Sequence, residues 1–532
     1  MTHGAWVRCC RICARPERRG ATRIGVARIS AVAASLLLVG GGGAAQTLPI
    51  GGNCGTEPAA AFCSAVRGAR AEGWPAQSRS EVMAQHGMVV TSQPLAAQAG
   101  LQILMRGGNA IDAAVATAAV LNVTEPMMVG MGGDLFAVLY IAKDKKIYVL
   151  NASGTAPSGA DVAHLNSLGY RWNPKNWGPG SGMPAYGILP VTVPGAVWGW
   201  QAVLKRFGKL TFKEVLEPAR TRYHGFDILE LPPPSQAWAA NEILNILQAC
   251  VPVWAPGQTL ASLGPAHPLY WHLLVEAKKI AYADLFEFNA DPNFAAVPLQ
   301  RLLSEAYAAT LCGRVNPQRA STPGAPGNFP MPGDTIVLSA ADGEGNMVSW
   351  VNSNFSAFGS GITVPGYGFI LHNRGALFTL NPKSPNVIEP HKRPFNTLSA
   401  GFVMHGGEPL MTVTLMGGDM QAQGHAQLLV DILDLGANPQ AGADMARFRH
   451  GQVSNVLSLE TPLDDLVGSE LRAMGHTVKP VNGEDVGGVQ IILYAAPADA
   501  PAAVSDAGPQ KRVRGYYRSG SDLRKDGEAV GW

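Results

Sequence analysis

Thr335 is the residue whose setting most directly suggests chemistry. It follows Gly333-Asp334 and precedes the apolar run Ile336-Val337-Leu338, so a hydroxyl stands where a strand should begin. A threonine hydroxyl is a weak nucleophile near neutral pH, and one remedy is to make the residue N-terminal, so that its own α-amine serves as general base. That amine titrates at about 7.7–8.0, close enough to neutrality to take a proton and return it to a leaving group. An internal threonine has no such amine. It would gain one if its hydroxyl attacked the Asp334 carbonyl, moved the acyl group from nitrogen to oxygen, and let water cut the chain. The same tripeptide also spells an ordinary turn entering a strand, so the surrounding sequence has to discriminate.

The elements that would position Thr335 are legible as local patterns. Strands over Thr335–Ala341 and Met347–Asn354 bracket the turn Gly343-Glu344-Gly345-Asn346, which predicts a hairpin. Alternation places Thr335, Val337 and Ser339 on one face. Upstream, a helix is expected over Pro94–Arg106, stopped by Gly107-Gly108. A second, capped by Asn109, is expected over Ala110–Leu121, apolar on nearly every face and so buried. Strands over Phe136–Ile141 and Lys146–Leu150 follow the glycine-rich Gly130-Met131-Gly132-Gly133-Asp134. Residues from about 195 to 310 read as a helical section, and Arg314–Pro332 as an exposed loop within reach of water. Strands near Gly401–Met404 and Leu410–Leu415 lead into Met416-Gly417-Gly418-Asp419 and a helix over Gln423–Leu435. Mixed strands and helices argue for layered sheets with helices outside.

The chain has 532 residues, 47% hydrophobic and 15% charged, with a net charge of +2, which gives no footprint for nucleic acid. Arg18, Arg19, Arg23 and Arg28 precede the apolar stretch Ala31–Val39 and the small residues ending Ala44-Ala45, the order of a secretory signal. A bilayer span takes about 20 residues, so cleavage near Ala45 and a periplasmic or secreted location are expected, with no stable membrane span. A buried helix or a membrane tether is the alternative. Cys9, Cys10 and Cys13 would leave with that segment. Cys54 and Cys63 could close a small loop in an oxidising compartment. Cys250 and Cys312 are expected as buried thiols, with a pairing left open. There is no Gly-x-Ser-x-Gly elbow and no His-Glu-x-x-His helix, and His425 and His450 are expected as structural histidines. No cofactor or metal is expected.

From residue 85 to 532 the chain resembles the γ-glutamyltransferase family of N-terminal-nucleophile hydrolases. The resemblance is carried by Gly107-Gly-Asn-Ala-Ile-Asp, Gly132-Gly-Asp, Val193-Pro-Gly-Ala-Val and Gly333-Asp-Thr. It continues through Phe358-Gly-Ser-Gly-Ile, Lys392-Arg-Pro, Gly417-Gly-Asp and Ala446-Arg-Phe-Arg-His450. It implies an α+β fold, a four-layer αββα sandwich. It also implies a precursor with a signal peptide at 1–45, a large subunit at 46–334 and a small subunit at 335–532, held together as a heterodimer. The cleavage site would be Asp334/Thr335. Thr335 would form an acyl-enzyme from a small acyl amide, the Gly417 and Gly418 amides would make the oxyanion hole, and Ser353 would stand where the family places a threonine hydroxyl near the nucleophile's amine.

The substrate-binding pattern departs from the family. The arginine expected before Ala156-Pro157 is missing from Asn151-Ala-Ser-Gly-Thr155. Phe355, Arg374 and Leu377 occupy the places of the residues that hold the α-amine, and Asn396 and Thr397 replace the paired serines. Losing a cation at one end of the head-group site and an anion at the other removes the charge-assisted bonds that select a free amino-acid head group. Arg374 is either a new ligand for a substrate carboxylate or a structural ion pair. Three functions remain: an acylase-like amidohydrolase, a γ-glutamyl hydrolase or transferase with a different grip, and a catalytically silent binding protein.

Overall fold

The computed structural model describes residues 77–176, 178–207, 218–323, 334–495 and 515–532. The expected signal peptide, Cys54, Cys63 and Gly333 lie outside them. The first two helices follow from their caps. Pro94–Met105 begins with a proline at its first turn and a Gln93 side chain that accepts from Ala96 N, and Gly107 ends it at φ 92°. Ala110–Thr124 opens with a capping box: Asn109 accepts from the Ile111 and Asp112 amides, and the Asp112 carboxylate accepts from Asn109 N. This second helix runs one turn past the expected Leu121. It packs on the helices Pro94–Met105 and Ala196–Phe207 as well as on a sheet, and leaves a face in water, with Val123 80% exposed.

That sheet has six strands in the order Glu528–Gly531, Gly87–Thr91, Asp334–Asp342, Met347–Phe355, Asp134–Ile141, Lys146–Ala152, every neighbouring pair antiparallel. A seven-stranded sheet runs Val82–Ala84, Tyr516–Ser521, Gly488–Ala495, Glu408–Met416, Ala400–His405, Phe226–Glu230, Ala219–Tyr223. The two-residue period sorts each strand between two cores. Val337, Val351, Phe136 and Val138 meet Phe402, Met404 and Ile492 between the two sheets. Ile336, Leu338, Ala340 and Trp350 point the other way, onto the first two helices. On the far side, Trp238–Trp254, Pro268–Phe288 and Met420–Leu433 pack against Val403, Met411, Val413 and Leu415. No helix among the described residues is long and apolar enough to cross a membrane.

Two expectations fail. The section from 195 to 310 is not wholly helical: Ala219–Tyr223 and Phe226–Glu230 form a hairpin at the edge of the seven-stranded sheet, paired with Ala400–His405. The period of two in Ala-Arg-Thr-Arg-Tyr, with buried and exposed residues alternating, was the available signal. Cys250 and Cys312 are not free thiols. They form a disulfide across 62 residues of sequence, because the helix carrying Cys250 packs on the helix Glu305–Leu311 that precedes Cys312.

The packing beneath Met420–Leu433 makes a testable demand. Burial pushes the Asp431 carboxyl up to about 8, with Asp434 adding to the rise and Arg447 and Arg524 opposing it. Between its unfolded value of about 3.9 and 8, the folded chain holds a proton that the unfolded chain releases. The stability from this group is therefore complete below the unfolded value and is lost as pH rises through 8. Asp431→Asn should flatten that decline, so that its melting temperature exceeds that of the natural chain at pH 9 by more than at pH 5.

Candidate active site

Thr335 lies at the start of the Asp334–Asp342 strand and is 1% exposed. The strand register shifts between Asp334 and Ile336, with the extra residue on the facing strand Met347–Phe355, so Thr335 stands opposite Ser353 and Asn354, while Val337 and Ser339 face the second sheet. Its Oγ1 donates to Ser353 Oγ at 3.1 Å, and the same Ser353 oxygen accepts from Phe355 N at 2.7 Å. Phe355, paired opposite Asp334, is fully buried at φ 75°. For a bulky residue that is a backbone conformation the surroundings must enforce.

The Arg374 guanidinium lies over the Phe355 ring, 4.8 Å from its centroid. Its Nε is 3.2 Å from Asp134 Oδ2 and its Nη1 donates to Thr397 Oγ1 at 2.8 Å. Both side chains of the ion pair are fully buried. Burial drives the arginine down to about 10 against the pull of Asp134. Burial also opposes charge on Asp134, yet His372 and Arg374 hold its carboxyl below the usual carboxylate range. Asp134 can open its strand here because glycines precede it. A Cβ on Gly133 would sit 2.6 Å from Ser353 O, and one on Gly132 would sit 2.2 Å from Ile370 O.

The far wall is joined by Gln236. Its Nε2 donates to Thr397 O at 2.8 Å and to Gly418 O at 2.7 Å. Gly417 and Gly418, at φ 121° and 64°, turn the chain from the strand Glu408–Met416 into the helix Met420–Leu433. Among the described residues no hydrogen bond uses either of their amide N–H groups. Tyr282 OH, donating to Asp419 O at 2.6 Å, fixes the far side of the turn. Thr335, Ser353, Phe355, Arg374, Thr397, Gln236 and Gly418 therefore form one unbroken chain of contacts. Asn396 stands one step aside, donating from Nδ2 to Ser153 Oγ at 3.1 Å. Asp134, Ser153, Gln236 and His372 were not singled out from the sequence. Only the Gly-Gly before Asp134 marked tight backbone there.

Other polar clusters stand apart. His272, Glu276 and His476 offer three buried ligand atoms within 4.8 Å of one another. They are already bonded internally, His272 Nδ1 to His476 Nε2 at 2.8 Å and Glu276 to Lys279 at 2.8 Å. His425 pairs with Glu230 at 2.9 Å, and His450 lies against Lys278 at 3.2 Å. A cavity of about 380 Å³ beside Tyr148–Asn151 does not include Thr335. It reaches the candidate site through Arg393, whose Nε donates to Ser153 O at 3.0 Å, and through Pro234, whose carbonyl accepts from Asn396 N at 2.9 Å.

The Asp134 pair makes the second prediction. Asp134→Asn would leave the Arg374 charge buried and unpaired. Urea unfolding should show a loss of about 3–5 kcal/mol, and the double variant Asp134→Asn/Arg374→Met should lose less than Asp134→Asn alone.

Known proteins share this fold. The chain is 28% identical to the glutathione hydrolase-like YwrD proenzyme of Bacillus subtilis strain 168, over 84% of this chain and 98% of that protein. It is also 28% identical to the acylase ACY 1 proenzyme of Pseudomonas sp. strain SE83, over 74% of this chain and 87% of that one. The crystal structure of cephalosporin acylase from Bacillus halodurans superimposes with a TM-score of 0.72 at 28% identity, covering 85% of this chain and 97% of that one. The model of the gamma-glutamyltranspeptidase family matches residues 96–222 and 217–532, and the chain belongs to that family.

Proposed function

We propose that this chain is a precursor that cuts itself between Asp334 and Thr335 and then works as an amidohydrolase or acyltransferase. In the first step Thr335 Oγ attacks the Asp334 carbonyl, the peptide nitrogen leaves as the new α-amine, and an ester joins Asp334 to Thr335. Water hydrolyses that ester, giving a large piece ending in Asp334 and a small piece beginning with Thr335, which stay associated. In the second step the α-amine takes the proton from Thr335 Oγ as the oxygen attacks the carbonyl of an acyl amide. It returns the proton to the leaving amine. Water or another amine then releases the acyl group from the ester.

The observation that carries this reading is the hydrogen bond from Thr335 Oγ1 to Ser353 Oγ at the start of a strand. It places the one hydroxyl against a second that can orient it. The Gly417-Gly418 turn offers two backbone donors for the oxyanion, and one such donor is worth a factor of about 10²–10³ in rate. The names of the relatives extend the candidate substrates to γ-glutamyl amides and to other acyl amides. The Asp134–Arg374 pair favours the second group, because the Arg374 cation at the acyl end already has its counter-ion. The leader at 1–45 directs the protein to the periplasm or outside the cell.

The test is direct. Intact-mass measurement of the natural protein should give two chains, the smaller beginning Thr335-Ile336-Val337. Thr335→Ala should give one chain and no amide hydrolysis. A cut Thr335→Ala protein would overturn the mechanism.

A further inference from the structure

We propose that the acyl-binding end of this site selects a neutral primary carboxamide, a chain ending in –CO–NH2, over a carboxylate or an ammonium. This rests on the acyl-transfer reading above. It comes from two polar atoms that the buried wall leaves without partners, Arg374 Nη2 and Gln236 Oε1.

Each atom is fixed by what its neighbours do. Arg374 commits Nε to Asp134 and Nη1 to Thr397 Oγ1, so its planar head cannot turn and Nη2 remains a donor in want of an acceptor. Gln236 donates from Nε2 to two main-chain carbonyls, Thr397 O and Gly418 O. Exchanging its nitrogen and oxygen would set an oxygen against both carbonyls, so the hydrogen-bond network assigns Oε1 as the acceptor in want of a donor. The two side chains share Thr397, one through its hydroxyl and the other through its carbonyl. Both residues are fully buried, and Arg374 lies over the Phe355 ring, next to the Ser353 that meets Thr335.

Charge then separates the candidate ligands. Asp134 balances Arg374 within the wall, so a carboxylate would enter without a net cation to receive it and would turn a second oxygen toward Gln236 Oε1. An ammonium would find one acceptor and a guanidinium beside it. A carboxamide carries both complements, an oxygen to accept from Nη2 and a nitrogen to donate to Oε1. A buried polar group left unpaired weakens binding, so the matched end group is discriminated from its isosteres.

The test uses p-nitroanilides of acyl chains four, five and six carbons long, each ending in a carboxamide, a carboxylate, an α-amino acid or a methyl group. The protein is the purified natural chain, sequenced in parallel for an N-terminal Thr335. At the best chain length, kcat/KM for the carboxamide should exceed that for the carboxylate and the α-amino acid by at least tenfold. Gln236→Met and Arg374→Met should each compress that ratio, with the methyl-ended anilide as the reference for acylation in each variant. A smaller ratio in the natural protein, including equal rates, would mean that water satisfies both atoms and would overturn the inference while leaving the acyl-transfer reading in place. A cut chain that hydrolyses no carboxamide anilide would do the same. An uncut chain with no turnover of any anilide would remove both readings.

Discussion

The buried ion pair between Asp134 and Arg374 is the interaction on which the arrangement around Thr335 depends. Two charges removed from water are tolerable only together, so each fixes the place of the other. Asp134 opens one strand of the six-stranded sheet, and Arg374 opens the 3₁₀ turn Arg374–Leu377, 240 residues further along. Through the remaining bonds of this pair, Gly154 N is drawn to the carboxylate and Thr397 to the guanidinium. Four segments distant in sequence thus acquire one geometry. The planar guanidinium makes that geometry specific, because fixing two of its nitrogens fixes the third.

Backbone conformation supplies what side chains cannot. Gly417 and Gly418 adopt positive φ in succession, which turns the chain sharply at the strand-to-helix junction. Phe355 adopts the same region without being glycine, at a cost on the order of 1–3 kcal/mol. It is held there by Ser353 Oγ on its amide and by the Arg374 guanidinium on its ring. The sheet thus stores strain beside the residue proposed to react, and the ion pair is among the contacts that hold it.

Local signals were legible in the sequence and long-range ones were not. Pro94, Asn109 and the Gly343–Asn346 turn each act within a few residues, and they located two helices and a hairpin. The strands at 219–230 went unseen because they are short, edge-placed and embedded between helices. The Cys250–Cys312 disulfide depends on helix packing that spacing alone does not fix. At the site, motif resemblance singled out Thr335, Ser353, Arg374, Thr397, Gly417 and Gly418. Asp134 entered only as the end of a glycine motif, and Gln236 not at all. Its two bonds span 161 and 182 residues, and nothing in Pro-Ser-Gln-Ala announces that its amide will bridge two carbonyls.

The departures at Phe355, Arg374 and Leu377 need not compromise self-cleavage. In the proposed mechanism the attack on Asp334 draws on Thr335, Ser353 and the Gly417-Gly418 amides, whereas the acyl tail is read by Arg374, Thr397 and Gln236. Phe355 belongs to both groups: it pairs with Asp334 across the strands and carries the guanidinium on its ring. Thr335 is covered, so opening the bond at Asp334 would free one neighbour of Phe355 at the moment the acyl end becomes needed. A cation added on the reading side needs a counter-ion once it is buried, and Asp134, which closes the Gly132-Gly-Asp motif, supplies one to Arg374.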